Sequence, residues 1–414
     1  MSESQVERNI RLEKAGNAII EYPDSNSFYE LINSNRELFN GFRLIYSTNN
    51  TISNFNSLSL KDIEIKYPVI TKYFGGSGLL FYEDSLYSEI LEKGETTSLI
   101  WLSISIDTQV ADAFRCFSEG KNIQDSERFH SIIHLIKEKG FNFDYHFYLT
   151  EDICHTFDFE NLRPFNTIKA LKLFDSLDMV SYKKNRNKPE FTENIVSAGR
   201  RANETIISFQ AITVQALIKR KGLFLILLKA TQLFWGNKKH SSSLAELLEY
   251  SVKTLGQFAK LEIYFGWKLL KYAKEFNFFG PIRQPSEKAL KKLNGMSWDL
   301  YMLRHQEKMA NTSSNEHDFY IPLIATFDRR FQNLIEAFPI RCLLMDDKHG
   351  RTNTIFFDEI EFFEDLNDFM PNELNQILSN SQSKVDRFNN PLPEKELDKE
   401  IEKLQAECKS YIKC

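Results

Sequence analysis

The sequence contains few of the residues that interrupt regular structure. Of its 414 residues only 16 are glycine and 11 are proline, whereas 35 are phenylalanine and 16 are tyrosine. The 42% apolar and 26% charged residues are typical of a globular protein and exclude a disordered or collagen-like chain. Few breaks and many large apolar side chains predict mostly regular structure around a substantial core.

Cysteine is also scarce. The five cysteines are scattered and no two of them form a CxxC pair; they are Cys116, Cys154, Cys342, Cys408 and Cys414. This number and spacing argue against both a disulfide framework and a cysteine zinc site. We therefore expect a protein of the reducing cytoplasm.

Long hydrophobic runs are missing. The most apolar stretch, residues 222–228, stops at Lys229 and is far shorter than the roughly 20 residues that a spanning helix needs. It predicts a buried helix, and no membrane partner is expected. The first 25 residues contain charged side chains and no apolar segment of the kind found in a secretory signal, so a secretory signal is not expected.

Positive charge is concentrated in one region. The whole chain has a formal net charge of −5, but residues 165–292 hold 23 Lys and Arg against 10 Asp and Glu. Such clusters neutralise a phosphate backbone, so we predict that this region binds nucleic acid; solvated faces of long helices are the alternative. The candidate residues are Lys183, Lys184, Arg186, Arg200, Arg201, Lys219, Arg220, Lys221, Lys238 and Lys239.

The apolar residues of this basic region recur at helical spacing, which predicts an all-helical unit over residues 165–290. On both sides of it, β-rich apolar runs alternate with helical segments. The runs cover residues 99–106, 143–149, 319–326 and 340–345. This alternation predicts an α/β fold with a parallel sheet, in which ligands gather at the carboxyl ends of the strands.

Acidic residues stand at these predicted strand ends. Asp107 ends the first run, Glu151 follows the second, and Asp328 follows the third. We also expect Ser297 to cap a helix whose first turn holds Asp299. Four converging carboxylates raise one another's pKa and need a counter-charge, and oxygen ligands suit Mg²⁺ or Mn²⁺. Asp346 and Asp347, after the fourth run, are candidates to join or replace one of the four.

These segments resemble the PIN-domain nucleases. The resemblance lies in a strand ending in Asp107-Thr108-Gln109, a strand leading to Glu151, Asp299 opening a helix, and Thr326-Phe327-Asp328 ending another strand. In that family the four acidic positions bind one or two Mg²⁺ or Mn²⁺ ions for phosphodiester hydrolysis, usually of single-stranded RNA. The resemblance implies that Asp107, Glu151, Asp299 and Asp328 are metal ligands and that Thr326 orients the site. Arg329 and Arg330, which directly follow Asp328, are candidates to contact phosphate or to pair with the acidic surface.

The resemblance also implies a domain organisation. A three-layer PIN-like core with a parallel sheet would comprise residues 96–164 and 291–347, interrupted by the helical basic insertion at 165–290. An N-terminal α+β region of unknown role, residues 1–95, precedes this core, and a C-terminal extension, residues 348–414, follows it. The extension ends in an amphipathic helix with Leu397, Ile401, Leu404 and Cys408 on one stripe, which either joins a protein partner or a second copy, or docks on its own body.

Two other functions are compatible with the same features. One is a catalytically degenerate PIN-like protein that binds nucleic acid without cutting it. The other is a helical scaffold or interaction protein, in which the basic helices bind an acidic protein and the acidic residues are only helix caps. Salt-sensitive nucleic-acid binding separates the scaffold from the first two.

Overall fold

The computed structural model describes residues 3–22, 28–49, 57–93, 99–156, 161–256, 258–312, 318–380 and 392–412. The strands are β1 (Arg43–Thr48), β2 (Ser57–Ser59), β3 (Ile70–Lys72), β4 (Gly78–Tyr82), β5 (Ile100–Ile106), β6 (Asn142–Asp144), β7 (Phe319–Ala325), β8 (Ile340–Asp346) and β9 (Arg351–Phe356). The helices are α1 (Gln5–Glu21), α2 (Phe28–Ser34), α3 (Arg36–Phe39), α4 (Leu60–Lys66), α5 (Asp84–Lys93), α6 (Thr108–Ser118), α7 (Ser126–Lys139), α8 (His146–Thr156), α9 (Arg163–Phe174), α10 (Met179–Lys184), α11 (Ile195–Trp235), α12 (His240–Glu249), α13 (Lys260–Tyr272), α14 (Glu287–Ala310), α15 (Arg329–Ala337), α16 (Glu359–Phe369), α17 (Asn372–Ser379) and α18 (Glu394–Lys409).

A four-stranded sheet of order β3-β7-β5-β6 forms the centre of the fold. Strands β7, β5 and β6 are parallel, and β3 adds an antiparallel edge. In this register Ser105 of β5 is aligned with Ile324 of β7 and with Asp144 of β6. The carboxyl ends of the three parallel strands therefore meet at one edge, and the predicted mixed α/β class with parallel strands is confirmed.

The predicted strand at residues 340–345 forms, but it lies in a second sheet. This sheet has the order β2-β4-β1-β8-β9 and is antiparallel throughout. Side chains alternate across its strands, so Leu44 and Tyr46 of β1 face a smaller core formed with α1, α2 and α3, whereas Ile45 faces the main core. Both faces are buried, which explains why β8 is apolar over residues 342–345 although it is not part of a parallel sheet.

Residues 165–290 are largely helical, as their periodicity predicts. The longest helix, α11, has 41 residues, and its apolar stretch 222–228 is buried. α11 packs against α8, α9, α13, α14 and α18. Its buried residues belong to the same hydrophobic cluster as those of the central sheet. These helices consequently share one core with the strands that lead to the acidic residues.

Much of the positive charge of this region is paired within the chain. Lys260 contacts Glu359 and Lys268 contacts Asp358, both on or next to α16. Further pairs join α11 and α13 to α16 and α18: Lys271 to Asp365 at 2.5 Å, and Lys221 to Glu394 and Asp398 at 2.7 Å each. The excess of positive charge predicted to face nucleic acid is therefore partly neutralised by the acidic C-terminal segment.

The C-terminal helix docks on its own chain. Leu397, Leu404 and Cys408 of α18 are buried, and the Sγ of Cys408 lies 3.8 Å from the carbonyl oxygen of Leu228 in α11. Its apolar stripe is thus covered without a second protein. No helix in the described parts of the chain is both long and apolar enough to cross a membrane.

Two predicted element boundaries are wrong, and both concern the candidate site. The strand predicted at 143–149 stops at Asp144, and Glu151 lies within α8, not at a strand end. Ser297 does not begin a helix, because α14 is already capped by Ser286, and Asp299 lies in its middle. The hydroxyl of Ser297 instead donates to the carbonyl oxygen of Asn294, one turn earlier in the helix.

Candidate metal centre

The four predicted carboxylates line one cleft at the carboxyl edge of the parallel strands. The space in and directly above the cleft, open solvent included, is about 450 Å³. The cleft thus brings together Asp107 and Asp328 from predicted strand ends, Asp299 from a predicted helix start and Glu151 from a predicted strand–helix junction. The cleft is lined by Asp107, Thr108, Gln109, Phe147, Glu151, Trp298, Asp299, Met302, Thr326, Asp328, Arg330 and Phe331.

Asp107 is held at the junction of β5 and α6. Its Oδ1 accepts a hydrogen bond from the backbone N–H of Val110 at 2.8 Å, the contact of a helix N-cap. Its Oδ2 accepts from the hydroxyl of Thr326, which is buried at the end of the neighbouring strand β7. Both carboxylate oxygens are therefore oriented by the ends of two adjacent strands.

The Thr326-Phe327-Asp328 segment repeats this arrangement on β7. The Thr326 hydroxyl accepts from the backbone N–H of Asp328 at 2.9 Å while donating to Asp107. Asp328 caps α15, since its Oδ1 accepts from the backbone N–H of Arg330 at 2.8 Å. Thr326 thus links the two capping aspartates, which gives a physical basis to the orienting role expected for it.

Glu151 reaches the cleft from α8. One of its carboxylate oxygens, Oε2, accepts a hydrogen bond from the hydroxyl of Thr108. Thr108 directly follows Asp107, so the side chain of Glu151 is tied to the same strand end although its own helix lies elsewhere in the sequence.

Asp299 enters from the middle of α14 and is largely buried. The guanidinium of Arg330 lies beside it, with Nε 3.0 Å from Asp299 Oδ2 and Nη2 3.3 Å from Oδ1. Nη2 also lies 3.4 Å from Oδ2 of Asp328. Oδ2 of Asp299 makes no hydrogen bond of acceptable geometry within the described residues, in spite of the short ion-pair distance.

The electrostatics of the cleft are unbalanced. Burial is the main cause that raises the pKa of Asp107 to about 7, and the carboxylates of Glu151 and Asp328 raise it further. Burial likewise raises the pKa of Asp299 to about 7, although Arg330 opposes this shift. One guanidinium against four carboxylates leaves the ionised forms without full compensation.

The donor atoms of the cleft are of the kind that a hard divalent cation prefers. All the side-chain donors predicted to bind it are oxygens, two of the carboxylates are destabilised in their ionised form, and one buried carboxylate oxygen has no hydrogen bond. Among the described residues, the one group of His, Cys, Asp or Glu whose ligand atoms all lie within 4.8 Å is a different one. The carboxylates of the cleft are spaced more widely, with Arg330 among them.

The predicted alternatives at Asp346 and Asp347 lie outside this cleft, at the end of β8 in the second sheet. Asp346 is buried and pairs with Arg8 at 2.7 Å. Asp347 pairs with Arg43 at 2.6 Å. Both carboxylates stabilise the N-terminal region and do not join the four.

The candidate basic residues fall into three groups. Arg330 lines the cleft, and Arg220 lies behind its wall, stacked over Trp298 at 4.5 Å from the ring centroid. Ion pairs occupy four others, which are Lys183, Arg201, Lys221 and Lys238. Six are exposed and form no ion pair with a described residue: Lys184, Arg186, Arg200, Lys219, Lys239 and Arg329.

Sequence reasoning missed several residues of the cleft. Phe147, Trp298 and Phe331 supply its apolar and aromatic wall. Arg128 of α7 lies at its margin, donating to the carbonyl oxygen of Thr326 at 3.0 Å. No motif indicates these residues, although Phe147 and Trp298 lie within four residues of predicted ligands.

A comparison of the chain with models of protein families, with curated proteins and with solved structures finds no match. Inferences about the cleft therefore depend on its own residues and on the motif resemblance described above.

Proposed function

We propose that the protein is a metal-dependent endonuclease with a three-layer PIN-like core, which hydrolyses phosphodiester bonds of RNA or of other single-stranded nucleic acid. The observation that carries this proposal is the convergence of four acidic residues from four separate segments on one cleft. These residues occur in the chain order of the PIN pattern. A chance set of surface caps would be scattered over the molecule.

The proposed ligands are Asp107, Glu151, Asp299 and Asp328. A bound Mg²⁺ or Mn²⁺ would supply Lewis acidity toward the phosphate and the attacking water. The protein holds the ligands in place: Thr326 orients Asp107 and Asp328, and Thr108 orients Glu151. Such fixed supports keep reorganisation of the ligands small.

Substrate binding is assigned to the cations and aromatic rings around the cleft. Arg220 and Arg128 lie near the cleft, where Arg220 donates to Ser297 and Asn294 and Arg128 donates to Thr326; their guanidinium groups place positive charge beside the proposed path of the phosphates. Trp298 and Phe147 line the cleft, and such rings stack unpaired bases. Direct contact by the remaining exposed basic residues is a weaker expectation, because none of them except Arg329 directly adjoins a residue of the cleft.

A second candidate function is nucleic-acid binding without cleavage. The observation that favours it is the position of Arg330, whose guanidinium contacts both Asp299 and Asp328. A built-in cation of this kind reduces the need for a metal ion. In this case the cleft would bind nucleic acid through its basic margin only.

The test is cleavage of labelled single-stranded RNA and DNA with Mn²⁺, Mg²⁺ or EDTA. Wild-type protein is compared with the Asp107→Asn and Asp328→Asn variants. Asparagine keeps both the size of the side chain and its capability to cap the following helix, so both variants are expected to fold. Loss of the ionised ligand is expected to reduce metal-dependent cleavage on the order of 100-fold or more.

The matched control is Asp347→Asn, which also removes a carboxylate after a strand but lies outside the cleft. It is expected to cut like wild type. Binding without cleavage by the wild type would favour the second candidate. Cleavage that survives both cleft substitutions would show that the active site lies elsewhere.

A further inference from the structure

A second group of metal-ligating side chains lies beyond the end of β6, outside the carboxylate cleft. It consists of Asp144, His146 and His305, whose nearest ligand atoms all lie within 4.8 Å of one another. Asp144 and His146 flank the turn between β6 and α8, and His305 comes from α14. We call these three residues the Asp–His cluster.

The carboxylate of Asp144 is buried and oriented. Its Oδ2 accepts hydrogen bonds from the hydroxyls of Ser105 at 2.6 Å and Tyr320 at 3.1 Å. Its Oδ1 accepts from the backbone N–H of His146 at 3.3 Å. Burial raises the pKa of Asp144, but His305 and Ser105 oppose this and lower it overall, so the group is an anionic ligand at neutral pH.

His305 has a buried ring nitrogen whose contact with Asp144 is longer than a hydrogen bond. Its Nε2 makes no hydrogen bond and lies 3.9 Å from Oδ1 of Asp144, with only 11% of the side chain exposed. That distance is too long for a hydrogen bond but leaves space for an ion between the two atoms. A buried polar atom without a hydrogen bond of normal length is costly, and an ion between His305 and Asp144 would satisfy both atoms.

His146 completes the group with a neutral imidazole. Its ring packs on Phe209 at 4.8 Å between centroids and lies edge-on to His305 at 6.4 Å. Burial lowers its pKa, and the charges of His305, Lys172 and Lys308 lower it further, outweighing Asp144. The unprotonated ring is the form that binds metals.

We propose that Asp144, His146 and His305 bind a transition-metal dication, best matched by Zn²⁺. Two imidazoles and one carboxylate are a borderline donor set that suits Zn²⁺ better than Mg²⁺. Three atoms no more than 4.8 Å apart all lie within about 2.8 Å of a common point, about 0.7 Å beyond a zinc–nitrogen bond. Small side-chain rotations close that gap, and the fourth position is left to water or to a ligand.

The Asp–His cluster and the carboxylate cleft share two helices. His146 precedes Glu151 by five residues on α8, and His305 follows Asp299 by six on α14, which is about 9 Å along the helix axis. Zinc at the Asp–His cluster would tie the start of α8 to α14, and these helices deliver two of the four carboxylates. An ion at the Asp–His cluster would therefore fix these two helices relative to each other, independent of whether the cleft cuts nucleic acid.

The test is zinc stoichiometry and affinity. Wild-type protein is stripped with a chelator and titrated with ZnCl₂ and separately with MgCl₂, and bound metal is measured by elemental analysis after desalting. The variants His146→Gln and His305→Gln remove one ligand each at nearly constant volume. The matched controls are His134→Gln, an exposed histidine paired with Glu138, and Asp107→Asn in the cleft.

We expect one zinc per chain in wild type and in both controls, and at least a 10-fold weaker affinity in each cluster variant. Zinc, but not magnesium, is expected to raise the Tm of wild type and to leave that of His305→Gln unchanged. Wild type that retains no zinc would overturn the proposal. Unchanged zinc affinity in both cluster variants would also overturn the proposal. Loss of zinc binding in Asp107→Asn would overturn it too, since the ion would then lie elsewhere.

Discussion

The carboxylate cleft and the Asp–His cluster are built on the same helices but from different donors. The cleft brings together four carboxylates with one guanidinium among them, whereas the cluster combines one carboxylate with two imidazoles. The cleft therefore carries the larger excess of negative charge and has the oxygen donors that a hard cation prefers, while the cluster carries one carboxylate and has the mixed donors that a borderline cation prefers. Five residues along α8 and six along α14 separate two sites with different donor atoms.

The largest expected effect separates the two sites by activity. Glu151→Gln is expected to reduce metal-dependent cleavage on the order of 100-fold, because it removes a ligand while keeping the hydrogen bond of Thr108. Zinc binding at the Asp–His cluster is expected to remain intact. Parallel assays of cleavage and bound zinc measure this contrast. Simultaneous loss of both would mean that the two groups of residues form a single site.

The next largest effect is expected at Arg330, the cation that contacts Asp299 and Asp328. In EDTA, Arg330→Met is expected to lower stability by about 1–3 kcal/mol, because Asp299 and Asp328 lose their cation and all three side chains are partly exposed to solvent. Thermal unfolding with and without Mg²⁺ measures it. Mg²⁺ is expected to raise the Tm of the variant more than that of wild type. An equally large Mg²⁺ effect on both proteins would show that Arg330 does not compete with the metal.

Burial of Asp107 gives a pH dependence. Because its pKa is raised to about 7, the favourable contribution of its protonated form is full at low pH and is lost as the pH rises toward 7. In EDTA at pH 8, Asp107→Asn is therefore expected to be more stable than wild type, by up to about 4 kcal/mol. Denaturant unfolding at pH 8 and pH 5 tests this, and the difference is expected to shrink at pH 5. A difference independent of pH would contradict the shift.

The smallest effect concerns the basic surface. Arg329→Ala removes an exposed cation next to the cleft and is expected to weaken single-stranded RNA binding roughly 2–5-fold, with a shallower salt dependence. The matched control is Lys239→Ala, which removes an exposed lysine four residues beyond the end of α11; that end lies about 22 Å along the helix axis from Arg220. It is expected to leave binding unchanged. Equal weakening by both substitutions would mean that the whole helical region contacts the substrate.

The sequence predicts the position of a residue in this fold where that position is decided by neighbouring residues in the chain. Asp107 and Asp328 are predictable because each directly follows an apolar strand and caps the next helix, so a few adjacent residues decide their place. The sequence predicts Asp299 in the first turn of a helix capped by Ser297, but Ser286 caps that helix eleven residues earlier. Local capping signals did not distinguish the two serines, because the packing of α14 decides where the helix begins.

The sequence by itself determined the alternation of strands and helices, the two capping aspartates, the helical basic region and its buried apolar stretch, because periodicity and capping are properties of neighbouring residues. Only the tertiary structure decided that β8 joins a second sheet and that the basic helices pair with the acidic C-terminal segment. It also decided that His305 meets Asp144. These contacts join residues far apart in the chain, and their energies depend on burial and packing that no local pattern records.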